Sequence, residues 1–259
     1  MSGLDPADPA DYSAGRLQAG QVQSMFDRVA GVYDLLNTVM TAGLHHRWRE
    51  RAVDCALVGP GGRVLDVATG TGDLALALAR RVGPDGSVVG SDFSEGMLAR
   101  ARAKAQGCSG AKLTFESGDA LDLPYPDGRF DAATVGFGAR NFSDLSRGLR
   151  EMARVVRPGG RVVVLEMTTP TKPPLSWFFG LWFDRVVPVI GKLAAAVSRR
   201  RGDGQDTIAQ AYTYLPSSVK RFHSPRELAA ELERAGCIDV RYTLMAGGII
   251  ALHGATVRG

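Results

Sequence analysis

Cysteine is scarce in this sequence of 259 residues: Cys55, Cys108 and Cys237 are an odd number, widely spaced, with no C-x-x-C pair and no histidine cluster beside them. That excludes a disulfide framework and a cysteine-based zinc site, and no metal is expected. A dominant charge of one sign is also missing. The 31 Lys and Arg residues are offset by 27 Asp and Glu, leaving +4 spread along the chain. No basic stripe is interleaved with stacking aromatics, so nucleic acid is not an expected partner. The one basic run, Arg199 to Arg201, fits either a solvated loop or a contact with anionic lipid or diphosphate. An unbroken apolar span is lacking too: residues 176–197, SWFFGLWFDRVVPVIGKLAAAV, carry Asp184, Arg185, Pro188 and Lys192, which argues against a simple membrane span. The first residues, MSGLDPADPADYSAG, have neither a basic nor an apolar signal-peptide segment. They read as a disordered polar leader, and the expected compartment is the cytoplasm.

What is present is ordinary globular material, 45% hydrophobic and 22% charged, enough for one large domain. A leader over 1–20 is followed by a single domain over 21–259, opening with a helical cap over 21–60. Helices are expected around Gln21 to Tyr33 and Leu44 to Ala56. Short apolar runs then alternate with amphipathic stretches: RVLDVAT (63–69), SVVGSDF (87–93), KLTFESG (112–118), FDAATVGF (130–137) and RVVVLEM (161–167) read as strands. Helices are expected over 73–82, over 95–105 with Ser94 as N-cap, and over 144–156 with Ser143 as cap and the PGG of 158–160 as its stop. A helix from about Pro225 to Ala235 precedes two strands joined by a turn at Gly247 and Gly248. The expected fold is α/β, a doubly wound, mostly parallel seven-stranded sheet.

The chemistry centres on VLDVATGTGD (64–73), at the end of the first strand. Gly70 and Gly72 lack side chains, so a ligand can approach the backbone at the crevice favoured in open α/β sheets, and Asp66 can orient a cationic ligand. No Lys follows Gly72 as a phosphate loop requires, and Ala75 stands at the third position of a dinucleotide fingerprint. Asp92 ends the second strand, where a carboxylate can accept from both hydroxyls of a ribose. Asp119 and Ala120 follow the third, where they can hold an adenine edge and face. Each aspartate alone also fits a loop or cap residue; together, in this order, they point to an adenosyl cofactor.

On these residues the chain resembles the class I methyltransferases. Further segments, MFDRVAGVYDLLNTVMTAGLHHRWR (25–49), GARNFSDLSRGLREMARVVRPGGR (138–161), YTYLPSSVKRF (212–222) and GGIIALHGA (247–255), are similar to the ubiquinone/menaquinone biosynthesis C-methyltransferase family. The resemblance implies a Rossmann-like sheet with N-terminal helices, a helical substrate lid over 170–222, S-adenosylmethionine as cofactor, held by Thr71, Asp92, Asp119 and Ala120, and methylation of a ring carbon of an isoprenoid quinol. Two departures stand out: Gly136 where some members carry Ser, and a long 198–210 stretch.

Carbon methylation needs an acceptor made nucleophilic, so a base or polarising group is expected near the end of the fourth strand. Arg140 and Asn141 follow that strand; they fit phenolate stabilisation and orientation, or capping of the next helix. Tyr33 is the third catalytic candidate, with Asp34, Asn37, His45, His46 and Arg49 as further polar groups, and His253 reads as structural. Tyr212 and Tyr214 fit pocket lining or core strands. The aromatics Trp177, Phe178, Phe179, Trp182 and Phe183 fit an isoprenoid tail, peripheral contact with a membrane surface, or a core helix. The rival functions are a methyltransferase of another lipid-like or aromatic small molecule, a non-catalytic cofactor-binding partner protein, and a nicotinamide oxidoreductase.

Overall fold

Five parallel strands form because their apolar residues alternate between two faces that both need cover. In the computed structural model, which describes residues 18–30, 33–41, 43–108, 110–187, 189 and 214–259, these are β1 (Arg63–Val67), β2 (Ser87–Asp92), β3 (Lys112–Ser117), β4 (Phe130–Gly136) and β5 (Val156–Met167). Val64, Val88, Ala132 and Val163 face one core; Leu65, Val89, Ala133 and Val164 face the other. The sheet is completed by β6 (Cys237–Met245) and β7 (Ile250–Val257) in the order β3-β2-β1-β4-β5-β7-β6, with β7 antiparallel to both neighbours.

The helices follow from amphipathic spacing. α1 (Ala19–Val29), α2 (Tyr33–Thr41) and α3 (Leu44–Cys55) precede the sheet; α4 (Asp73–Val82) and α5 (Glu95–Ala105) connect β1 to β2 and β2 to β3. With Ala52 and Val53 of α3, Leu74 and Leu78 of α4 and Leu98 of α5 close the first core. α6 (Leu145–Val155) and α8 (Pro225–Arg234) close the second through Leu149, Met152, Leu228 and Leu232. Each such side chain, fully buried, contributes about 1.5–3 kcal/mol. α7 (Leu175–Leu181) runs into a π-turn at Trp182–Val186.

Several expectations are corrected. The cap holds three helices, not two: Tyr33 opens α2 instead of ending the first helix, and α1 starts at Ala19, inside the stretch read as leader. Ser94 caps α5 as expected, its hydroxyl accepting from the Met97 amide at 3.2 Å. The cap of α6 is Asp144, which accepts from the Arg147 amide at 2.9 Å, not Ser143. The PGG segment does not lie between helix and strand. β5 starts at Val156 and bulges across it, Phe130 pairing with Val156 and Ala132 with Arg161. Tyr214 belongs to a helical segment over 214–221, not to a strand. The leader up to residue 17, Arg199 to Arg201, the 198–210 stretch, Tyr212 and the side chains of Phe178 and Phe183 lie outside the described residues. Among those described, no helix is long and apolar enough to cross a membrane.

Order reverses between β1 and β4, and ligands of doubly wound sheets bind at the carboxyl ends of the strands at such a point.

Candidate active site

A cavity of about 120 Å³ opens there, lined from β1 by Asp66 and Ala68 to Thr71, from β2 by Asp92 and Phe93, from β3 by Gly118 to Leu121, and from β4 by Gly136 to Gly138. Asp66, Gly70, Thr71, Asp92, Asp119, Ala120, Tyr33 and Asn141 all line it. Gly72 does not. At φ 82° it is the N-cap of α4, and a Cβ there would meet the Phe115 ring at 2.9 Å, so packing and backbone conformation both require glycine here. Gly70, at φ 57°, has nothing within 4 Å of its absent Cβ and leaves room against the backbone.

Each carboxylate is fixed before any ligand arrives. Asp92 accepts from the Gly70 amide at 2.7 Å through Oδ2 and from the Ser94 amide at 2.9 Å through Oδ1. The acceptor capacity that remains on the carboxylate suits ribose hydroxyls. Burial pushes its pKa up, although these amides oppose the shift. Asp119 accepts from the Leu121 amide at 2.9 Å, and Phe93, Met97, Ala120, Leu121 and Phe142 supply apolar walls suited to an adenine. The donor set therefore fits an adenosyl group. Ala68 (φ 49°) and Phe137 (φ 62°) carry left-handed backbone without being glycine, in the loops after β1 and β4 that bound the cavity.

Asp66 lies beneath the cavity, accepting from the Thr69 and Thr134 hydroxyls at 2.6 Å each. Its burial outweighs both bonds and lifts its pKa to about 6. A carboxyl raised in the native state binds more protons folded than unfolded, so its cost to stability is complete above pH 6 and relieved on acidification. Measured against Asp66→Asn by urea unfolding, the wild type should gain about 2 kcal/mol between pH 7 and pH 4, from a shift that starts at 3.8. A stability difference that does not change with pH would refute this.

A second cavity of about 270 Å³ adjoins the first, sharing Tyr33, Arg49 and Phe137 with it. Its other walls are mainly apolar, including Trp48, Met167, Phe179, Trp182, Leu215 and Ile249, with Asn37, Thr41, His45 and Arg140 as polar points. Arg140 and Asn141 are thus divided, Arg140 lining this cavity and Asn141 the first, where it accepts from the Tyr214 hydroxyl at 3.2 Å.

Arg140 does not cap the following helix, a place taken by Asp144, but is held in a buried ion pair. Its Nη1 donates to Glu166 and to the Phe137 carbonyl, each at 2.6 Å, with the Arg140 side chain 6% and the Glu166 side chain 1% exposed. Burial works against the charge, but Glu166, Tyr33 and Tyr214 together more than offset it and the guanidinium stays protonated. Among the described residues its buried Nε has no hydrogen-bond partner.

His45 is not placed to act as a base. Thr38 donates its hydroxyl to the Asp34 carbonyl and so receives the His45 Nε2 proton at 3.1 Å, leaving Nδ1 to accept from Arg49. Burial, then the Arg49 charge, lowers its pKa to about 4, and at neutral pH the ring is uncharged. His253 is buried and hydrogen-bonded to the Pro225 carbonyl at 2.8 Å, a structural role.

The sequence reading missed Lys104. Its ammonium meets Asp34 at 2.6 Å, Asp73 at 2.7 Å and the Thr71 hydroxyl at 2.9 Å. Thr71 in turn donates to Asp34 at 2.6 Å, so its side chain joins the cap helices to the glycine loop. Glu166 was missed as well. It lies in an apolar strand, and only its acidic character among VVVLEM marked it.

Comparisons with known proteins agree on the type. A model of the ubiE/COQ5 methyltransferase family matches residues 15–257. Demethylmenaquinone methyltransferase of Thermus thermophilus is 47% identical over 229 residues, 88% of this chain and 98% of that protein. The ubiquinone/menaquinone biosynthesis C-methyltransferase UbiE of Geobacter sulfurreducens is 42% identical over 234 residues, 90% and 87% of the two chains. Among solved structures, a SAM-dependent methyltransferase of Thermotoga maritima described as a possible histamine N-methyltransferase superposes with TM-score 0.60 at 20% identity, over 90% of this chain and 98% of that one. The [4+2]-cyclase SpnF superposes with TM-score 0.63 at 21% identity, over 99% of both. These two likenesses concern the fold alone, and the cyclase shows how little the fold says of the reaction.

Proposed function

The chain belongs to the ubiE/COQ5 methyltransferase family, and from that premise we propose that it methylates a ring carbon of an isoprenoid quinol of the demethylmenaquinol type. It is an S-adenosylmethionine-dependent C-methyltransferase. The observation that carries the acceptor assignment is the pair of adjoining cavities: one bounded by Asp92, Asp119 and Ala120, the other larger and mainly apolar, with Tyr33, Arg49 and Phe137 common to both.

When bound, the cofactor supplies an electrophilic methyl group; this chain's residues hold donor and acceptor in line and exclude water. Asp92 takes the ribose hydroxyls, Asp119 and Ala120 the adenine, and Asp66, Gly70 and Thr71 shape the floor. Arg140 stabilises negative charge on the ring oxygen as the neighbouring carbon attacks, through the face of its guanidinium fork that Glu166 leaves over. Tyr33, at the junction, hydrogen-bonds the same ring, and Asn141 orients the cofactor side. The isoprenoid tail follows Met167, Phe179, Trp182 and Leu215. Trp177, Leu181 and Val189, exposed at 74%, 54% and 53%, make a peripheral contact with the inner membrane surface, where such a lipid resides. In this reading the described parts of 170–222, α7 and the helical segment over 214–221, cover the acceptor cavity of a single domain that opens with α1.

The test is incubation with labelled S-adenosylmethionine and, in separate vessels, a reduced demethylated naphthoquinol and a reduced demethylated benzoquinol. Mass spectrometry of the naphthoquinol should show one added ring methyl. A protein that binds S-adenosylmethionine yet methylates neither lipid refutes the acceptor assignment.

A further inference from the structure

Arg49 is buried, 8% exposed, and lines both cavities. Burying a guanidinium is costly, and its partners do not use it fully. Among the described residues its one hydrogen bond goes to His45 Nδ1. Its ion pair with Asp73, at 3.4 Å, is longer than a well-formed charge-assisted bond. Asp73 lines the first cavity beside it and is shared with Lys104. His45, anchored by Thr38, fixes the direction of the fork.

The methyl group must cross the junction between the cavities, so the donor sulfur belongs on the cofactor side of that junction. The amino-acid arm hangs from the same sulfur and ends in a carboxylate and an ammonium. Asp92 and Asp119 meet only the adenosine half, and a zwitterion withdrawn from water needs a cation and an anion close together. Resting on the cofactor assignment above, we propose that Arg49 is the receptor for the α-carboxylate of S-adenosylmethionine, with Asp73 beside it taking the α-ammonium. The cap helix α3 thereby becomes part of the cofactor site, and an empty amino-acid arm is sensed by the same residue that borders the acceptor cavity.

The test compares S-adenosylhomocysteine, which has the arm, with 5′-methylthioadenosine, which lacks it, by titration calorimetry. Arg49→Gln should weaken the first about ten- to a hundredfold and leave the second within about twofold. Equal weakening of both ligands, or of neither, overturns the proposal and leaves Arg49 as packing between α3 and α4. If the Gln variant does not fold, Arg49→Lys keeps a charge opposite Asp73 but loses the fork, and S-adenosylhomocysteine alone should weaken, about tenfold; unchanged affinity there is equally fatal. A wild type that binds neither ligand would instead sink the cofactor assignment itself.

Discussion

Arg140→Ala should abolish most activity and much of the stability together, and the two losses can be separated. A group that stabilises developing charge contributes roughly 2.7–4 kcal/mol to the transition state, so kcat should fall by about two to three orders of magnitude. The same substitution strands Glu166, 1% exposed, without its counter-charge, and breaking a buried pair from one side costs about 3–5 kcal/mol of folding free energy. Arg140→Lys keeps a cation opposite Glu166 and should fold, with turnover between the wild type and Ala. The double variant Arg140→Met with Glu166→Gln removes both charges, so it should recover much of the thermal stability while turnover stays low. Cofactor affinity should change little in all of them, because the carboxylates assigned to the ribose and the adenine, Asp92 and Asp119, lie on other loops. A stable double variant with near-normal kcat on the quinol would make Arg140 a purely structural partner of Glu166 and move attention to Tyr33.

That test depends on a contact which could not be read from the chain. The five parallel strands were legible because parallel pairing buries both faces, and a short apolar run such as Val162 to Leu165, bounded by a glycine turn, fits a strand covered on both sides. The spacing of the glycine loop, Asp92 and Asp119 was legible for a related reason: each follows a strand end, and strands of one sheet bring their carboxyl ends to one side. Pairings between distant positions leave no local period. Arg140 and Glu166 are 26 residues apart, Lys104 and Thr71 are 33 apart, and nothing in the surrounding sequence matches one to the other. The packing demand at Gly72 was not legible because a glycine that makes room for Phe115 and one that makes room for a ligand look alike until the neighbour is known. The extra cap helix was missed because Tyr33 to Thr41 is short, and its polar face, with Asp34 and Asn37, resembles a turn.

Asp92→Ala should weaken S-adenosylmethionine binding by about two to three orders of magnitude, since hydrogen bonds to a charged group contribute about 1.5–3 kcal/mol each and two of them add incompletely. Alanine also releases the Gly70 and Ser94 amides, which now end on the carboxylate at 2.7 and 2.9 Å. The cofactor loop loses its anchor along with the ribose. Asp92→Asn is no conservative control, because both oxygens accept backbone N–H groups and an amide nitrogen would face one of those donors. Acid separates binding from folding at this position. Burial raises the Asp92 pKa above its ordinary value, so as pH falls through the raised value the carboxylate gains a proton and loses acceptor capacity, and cofactor affinity should decline earlier than for an exposed aspartate. For the fold the sign is opposite: a carboxyl raised in the native state binds more protons folded than unfolded, so acidification relieves its cost. Calorimetric titration of the wild type across mildly acidic pH should therefore show weakening affinity, with that slope reduced in Asp92→Ala to what Asp66, which lines the same cavity and titrates near 6, contributes, while the contribution of Asp92 to unfolding stability moves the other way. A folded Asp92→Ala protein with unchanged affinity for S-adenosylmethionine would remove Asp92 from the cofactor site.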